Sequence, residues 1–291
     1  MAILVGRRPC TEAEAVRSGF GGRESARRQQ VLAETLRVFQ QANPPDHFHQ
    51  LARENHGRWA GKAEDSPASV DVQIHAGDWG EVTLDLSQRY GKIFAVLNMA
   101  NAYVPGGGYI EGAASQEENL FRRSDCHFYI GDDEYDREAD RYRPHMTELI
   151  SGASGRVYLD TRHPRVCIRG AEETEQPNLG YRWLEEKEVF SFYELRAAAQ
   201  DLRRGDLFDP DLARSKIAAQ LDTLTEAGIR HAVLGAFGCG AFRNPADEVA
   251  AIYRQEIEQR RDAFSIIAFA IRQMPHQASN FSPFQRVFAG L

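Results

Sequence analysis

Two continuous apolar runs, Ile93-Phe94-Ala95-Val96-Leu97 and Ala232-Val233-Leu234, constrain this 291-residue chain more than any other feature. A strand with one wet face alternates apolar and polar residues. A run with no polar position is buried on both faces and needs helices above and below its sheet. Both runs lead into glycine-bearing segments, Pro105-Gly106-Gly107-Gly108 after the first and Gly235-Ala236-Phe237-Gly238-Cys239-Gly240-Ala241-Phe242 after the second. Open α/β sheets present ligand loops at the carboxyl ends of such strands. The pattern predicts an α/β sandwich with a mixed central sheet and two ligand loops on one edge.

Other segments fill in that frame. Val31, Leu32, Thr35, Leu36 and Phe39 recur at helical spacing between Glu24 and Gln41, and Asn43-Pro44-Pro45 ends the helix. Residues 1–23 read as a loosely held arm, and residues 46–68 carry no assignable pattern. Alternation at Val70, Val72 and Ile74, then at Val82, Leu84 and Leu86, predicts a pair of strands. A helix is expected over Ser115–Ser124 and a solvated acidic loop over Gly131–Arg143. Short strands are expected at Arg156–Leu159, Val166–Arg169 and Val189–Tyr193. Leu212–Ala227 reads as a helix closed by Gly228, Asn244-Pro245 as the start of another, and Phe264–Ile271 as a last strand.

Composition narrows the function classes. A net charge of −7 argues against general nucleic-acid binding, although backbone amides can still hold an anionic small ligand locally. Cys10, Cys126, Cys167 and Cys239 are widely spaced without a C-x-x-C pair, which suits free thiols in a cytoplasmic protein. No run approaches the roughly 20 apolar residues of a membrane span. His47, His49 and His56 lack metal-ligand spacing and read as surface histidines.

The chemistry concentrates beyond the first run. One glycine makes a tight turn; three in succession let backbone approach a ligand. Gln116-Glu117-Glu118 follows seven positions later and brings two carboxylates for acid/base work. Ser115-x-x-Glu118 is also a capping-box pattern, in which Glu118 would return to the Ser115 amide, so the position alone leaves both roles open. The second loop is neither a P-loop nor a good G-x-G-x-x-G, since Arg243 stands at the third glycine position. Its amides suit a diphosphate and Phe242 a ribose face. Cys239 has no histidine tied to it by a known signature, which disfavours a cysteine nucleophile.

Val96-Leu97-Asn98-Met99-Ala100-Asn101, the Pro-Gly-Gly-Gly loop and Gln-Glu-Glu, continued by Asn119-Leu120-Phe121-Arg122-Arg123-Ser124, resemble the bacterial-type poly(ADP-ribose) glycohydrolases of the macrodomain superfamily. The similarity resumes at Ala197–Arg203 and Leu234–Pro245 and spans about residues 90–272. It implies a macrodomain-like α/β/α catalytic domain over residues 69–291, with residues 1–68 as an N-terminal arm and helical accessory segment. It further implies binding of ADP-ribose or poly(ADP-ribose), possibly attached to protein, with no metal or other cofactor.

Carried over residue by residue, the resemblance makes Glu118 the acid/base and Glu117 a ribose-positioning partner. Asn98 and Asn101 would make ribose-side contacts. The loop of Gly106, Gly107 and Gly108 and the loop of Gly238, Cys239, Gly240, Ala241 and Phe242 would together embrace the diphosphate and the distal ribose, with Gln116 and Gly235 as further substrate-binding residues. Two departures bear on the substrate. Tyr158–Pro164 stands where the family often has a Tyr-Ser-Pro-like strand, and Gly131–Asp140 is an acidic insert beside a site for a polyanion. The expected reaction is hydrolysis of the ribose–ribose O-glycosidic bond. The alternatives are removal of a single ADP-ribose from a protein side chain such as arginine, and a non-catalytic ADP-ribose-binding module.

Overall fold

The computed structural model describes residues 22–67, 69–273 and 279–290. Most of the expected N-terminal arm, with Cys10, lies outside them. Six strands form one sheet in the order β1-β8-β7-β2-β6-β5. They are β1 (Asp71–His75), β2 (Ala95–Met99), β5 (Tyr158–Cys167), β6 (Phe190–Ala197), β7 (His231–Leu234) and β8 (Ile266–Ala270). All neighbours are parallel except β5, which runs antiparallel to β6. The mixed sheet expected from the sequence is present.

Both-face burial follows from the apolar runs. In β2, Ala95 and Leu97 join one core cluster while Val96, with Phe94 just before the strand, joins another on the opposite face. The first cluster takes in helices α5 (Pro210–Glu226), α6 (Ala246–Gln259) and α7 (Phe281–Phe288). The second takes in α3 (Trp79–Tyr90) and α4 (Gln116–Arg123). Three layers result, with β2 in the middle of the sheet and the loops after β2, β6 and β7 on its carboxyl edge.

Several local expectations are corrected. Val82, Leu84 and Leu86 belong to helix α3, not to a strand. Asp78 Oδ1 accepts from the Gly80 and Glu81 amides at 3.0 and 3.1 Å, and Gly91 ends the helix at φ +60°. The buried residues Trp79, Val82, Thr83, Leu86 and Tyr90 then follow a helical stripe, and the apparent alternation was incidental. Residues 47–60 form helix α2, on which His56 is buried rather than on the surface. Its Nε2 accepts from the Ser191 amide at 3.2 Å, and burial lowers its pKa to about 4. The acidic stretch folds into a hairpin of β3 (Tyr135–Asp136) and β4 (Arg141–Tyr142) with both tyrosines buried. The two short strand candidates near 156–169 are one strand, β5, with an irregularity between Asp160 and Arg165.

The first helix, α1 (Arg23–Gln41), reaches α4 directly. Thr35 Oγ1 donates to the Arg122 carbonyl at 2.8 Å, and Arg28 pairs with buried Glu172 at 2.7 Å. Among the described residues no helix is long and apolar enough to cross a membrane.

Candidate active site

The loop after β2 is shaped by the helix that follows it. Gly106, Gly107 and Gly108 precede α4, whose first turn carries Glu117 and Glu118, both buried. Glu117 Oε1 accepts from the Gly106 amide at 3.0 Å and its Oε2 from the Asn101 amide at 2.7 Å. Glu118 Oε1 accepts from the Gly108 amide at 3.0 Å, while its Oε2 is buried with no hydrogen-bond partner among the described residues. Gly107 has φ +55°, and a Cβ there would overlap Glu118 Oε1 and lie 3.0 Å from Glu117 Oε2. The triplet therefore makes room for carboxylates and delivers amides to them.

Of the two readings of Ser115-x-x-Glu118, the capping box is not formed. Ser115 makes no side-chain cap, and the Glu118 carboxylate goes to Gly108 instead of the Ser115 amide. Burial, then the charge of Glu118, pushes the Glu117 pKa well above the ordinary carboxylate value, against the two amides it accepts. An unpartnered buried carboxylate oxygen such as Glu118 Oε2 calls for a hydrogen-bond partner that a ligand can supply.

The other sequence candidates divide around this pair. Gln116 clamps α4 to the end of β2, with Oε1 accepting from the Met99 amide at 3.0 Å and Nε2 donating to the Leu97 carbonyl at 2.8 Å. Asn101 turns the chain, its Oδ1 accepting from the Tyr103 and Val104 amides at 2.8 and 3.0 Å. Asn98 is fully buried, and its Nδ2 donates to Glu194 at 2.9 Å.

The loop after β7 is built differently. Gly238 has φ +76°, and a Cβ there would stand 2.6 Å from Ala199 Cβ and 2.7 Å from Asn244 Nδ2. Asn244 does not cap the next helix as its sequence position suggests, since Pro245 holds that place. Its Nδ2 instead donates to the Gln200 and Gly238 carbonyls at 2.7 and 3.1 Å. Gly235 is buried, whereas Gly240 and Ala241 are exposed and Phe242 is half-buried. Burial pushes the Cys239 thiol up to about 12, so it carries almost no thiolate at neutral pH. Among the described residues, no three His, Cys, Asp or Glu side chains are grouped to hold a metal.

Nothing in the sequence points to a buried charge cluster beside Asn98. Glu194 receives Arg196 at 2.7 Å and Arg165 at 3.2 Å, with all three side chains fully buried. Burial opposes Glu194 ionisation, yet Arg196 and Arg165 together hold its pKa below the usual value. Arg196 also reaches Glu134 of the acidic segment at 3.0 Å, and the Tyr142 amide donates to the Tyr103 carbonyl at 2.7 Å. The acidic hairpin is thus tied to both the cluster and the loop after β2. Charged strand positions carry no periodic signal; only a predicted partner for Glu194 would have exposed it.

Comparison with known proteins places this geometry. Residues 22–150 match the family model described as microbial-type PARG, catalytic domain. The crystal structure of poly(ADP-ribose) glycohydrolase from Thermomonospora curvata is 23% identical with a TM-score of 0.62, covering 90% of this chain and 99% of that one. The same enzyme bound to the inhibitor ADP-HPD is 22% identical with a TM-score of 0.60, covering 90% and 99%. The Deinococcus radiodurans enzyme in complex with ADP-ribose is 23% identical with a TM-score of 0.55, covering 84% and 91%. No curated protein matches. The chain folds as these bacterial glycohydrolases do.

Proposed function

We propose that this chain, with the fold of the bacterial poly(ADP-ribose) glycohydrolases, is itself a glycohydrolase that cleaves the ribose–ribose O-glycosidic bond of poly(ADP-ribose) and releases ADP-ribose. One observation carries the reading: Glu118 is pinned through Oε1 by Gly108 and keeps a buried, unpartnered Oε2 at the glycine loop. A carboxyl held that way is positioned for proton transfer rather than for holding up its own helix.

The chemistry balances on that group. Protonated Glu118 gives its proton to the bridging oxygen as the bond from the anomeric carbon breaks. The sugar passes through an oxocarbenium-like state, and water adds at the anomeric carbon while returning a proton to Glu118. Glu117 orders the loop through the Asn101 and Gly106 amides and meets the distal ribose with its remaining lone pairs. Asn101, the Gly106–Gly108 amides and the Gly238–Phe242 loop embrace the terminal ADP-ribose unit, while Asn98 and Gln116 brace the strand end beneath it.

A groove lined by Ala76, Gly77, Asp78, Glu172 and Arg272 opens where β1 and β8 end, on the same sheet edge as both glycine loops. The described part of the accessory segment, residues 22–67, braces α4 through the hydrogen bond from Thr35 Oγ1 to the Arg122 carbonyl. The described cysteines are unpaired and buried, in keeping with a cytoplasmic protein.

The test is free ADP-ribose released from purified polymer and from mono-ADP-ribosylated arginine on protein. Release from polymer is expected. Release from the modified protein alone selects the single-unit reaction, which the acidic hairpin beside the loop would favour by repelling a second ADP-ribose unit. Binding of ADP-ribose with no release from either substrate leaves only a binding module.

A further inference from the structure

β6 and β7 do not touch, because β2 lies between them. Their following loops nevertheless meet above the end of β2, beside the Glu118 loop. Asn244 bonds the Gln200 carbonyl, and the Leu202 amide donates to the Phe242 carbonyl at 3.1 Å. This seats the short turn Leu202–Arg204 on the Phe242 ring, with the Arg203 guanidinium 4.9 Å from its centroid. Arg203 is half-exposed, and its hydrogen-bonding partner among the described residues is Asp201, at 2.7 Å from Nε and 2.5 Å from the second nitrogen. An exposed pair of this kind is weak, so little holds Arg203 to Asp201. Asp201 Oδ1 also accepts from the Arg203 amide at 3.2 Å, and keeps that partner if the guanidinium leaves.

We propose that Arg203 is a substrate-gripping residue: it leaves Asp201, turns across Phe242 and closes on the pyrophosphate of the bound ADP-ribose unit. The proposal rests on the preceding reading that this site takes ADP-ribose. The Gly238–Phe242 backbone offers only amide dipoles to two phosphates, and the whole chain carries a net charge of −7. A full positive charge is what that arrangement lacks. The bond to Asp201 raises the Arg203 pKa, and the charge of Glu118 adds to it, so the guanidinium stays fully charged. Its planar fork matches phosphate oxygens in pairs, and the aromatic platform keeps the cation poised at small entropic cost.

Titration calorimetry of ADP-ribose against the wild type, Arg203→Gln, Arg203→Lys and Asp201→Asn, each at low and moderate salt, tests it. Arg203→Gln is expected to raise Kd roughly tenfold or more, the loss typical of a charge-assisted bond. It should also flatten the salt dependence. Arg203→Lys should recover part of the affinity, and Asp201→Asn should tighten binding severalfold by releasing the arginine. In turnover, KM should rise in Arg203→Gln with kcat within about twofold, as for uniform binding. Wild-type affinity and salt slope in Arg203→Gln would overturn the proposal alone. Equal losses in the Gln and Lys variants, with kcat falling alongside, would assign Arg203 to holding Phe242 instead. A wild type that binds no ADP-ribose removes the underlying reading and this proposal with it.

Discussion

The two glycine loops look alike in sequence and are made for different tasks. The first, after β2, is closed upon by its own helix: Glu117 and Glu118 take the Asn101, Gly106 and Gly108 amides, and Gly107 leaves space for their carboxylates. In the second, after β7, no loop amide hydrogen-bonds a carboxylate among the described residues. It is sewn by Asn244 to the loop after β6 and keeps Gly240 open to solvent. Glycine in the first loop admits protein groups; in the second it fixes a left-handed turn and leaves exposed backbone for a ligand. On the proposed function, one loop positions chemistry and the other receives substrate.

That contrast breaks if substitutions act alike in both loops. The largest effect is expected from Gly107→Ala, where the added methyl overlaps Glu118 Oε1 and φ is +55°. Displacing the carboxylate by about 1 Å should lower kcat roughly 100-fold, measured by ADP-ribose release. Gly238→Ala should instead raise KM and cost roughly 1–3 kcal/mol of stability by denaturant unfolding, because the strain falls on Ala199 and Asn244 rather than on the glutamates.

Acid should also separate the loops. Beneath the first, Tyr109 Oη lies 2.7 Å from His127 Nδ1, and burial lowers the His127 pKa to about 4. The folded pKa is below the unfolded value near 6.5, so this stability is present above about pH 6.5 and lost as pH falls towards 4. Hydrogen exchange, corrected for intrinsic rates, should rise in residues 105–113 between pH 7 and 5 before it rises in residues 238–244. The smallest effect belongs to Gly240→Ala, which meets no atom within 4 Å and should leave kcat and KM within about twofold. A tenfold change there would mean that ligand backbone contacts are tighter than the open surface suggests.

The strands and loops that hold the site were legible because burial on two faces leaves an unbroken apolar run, as at Ile93–Leu97 and Ala232–Leu234. Helix α4 and its carboxylates were legible for the same reason, being anchored to that strand. The helix at Trp79–Tyr90 was misread because Val82, Leu84 and Leu86 satisfy a period of two as well. The deciding signals were its ends, Asp78 and Gly91, more than its middle. What Glu118 bonds to was not legible, since Ser115-x-x-Glu118 fits a cap locally and only the folded glycine loop offers the competing amide. The Glu194 cluster was hidden in the same way, its partner Arg165 lying on another strand.

The most direct test of a catalytic Glu118 compares wild type and Glu118→Gln in two assays, turnover of poly(ADP-ribose) and calorimetric binding of ADP-ribose. Glutamine keeps the acceptor for Gly108 but cannot exchange a proton. The expected result is a kcat lower by about 10²–10⁴, the range of a lost general acid/base, with Kd within about threefold. Retained turnover, or a Kd that collapses in step with kcat, would contradict it.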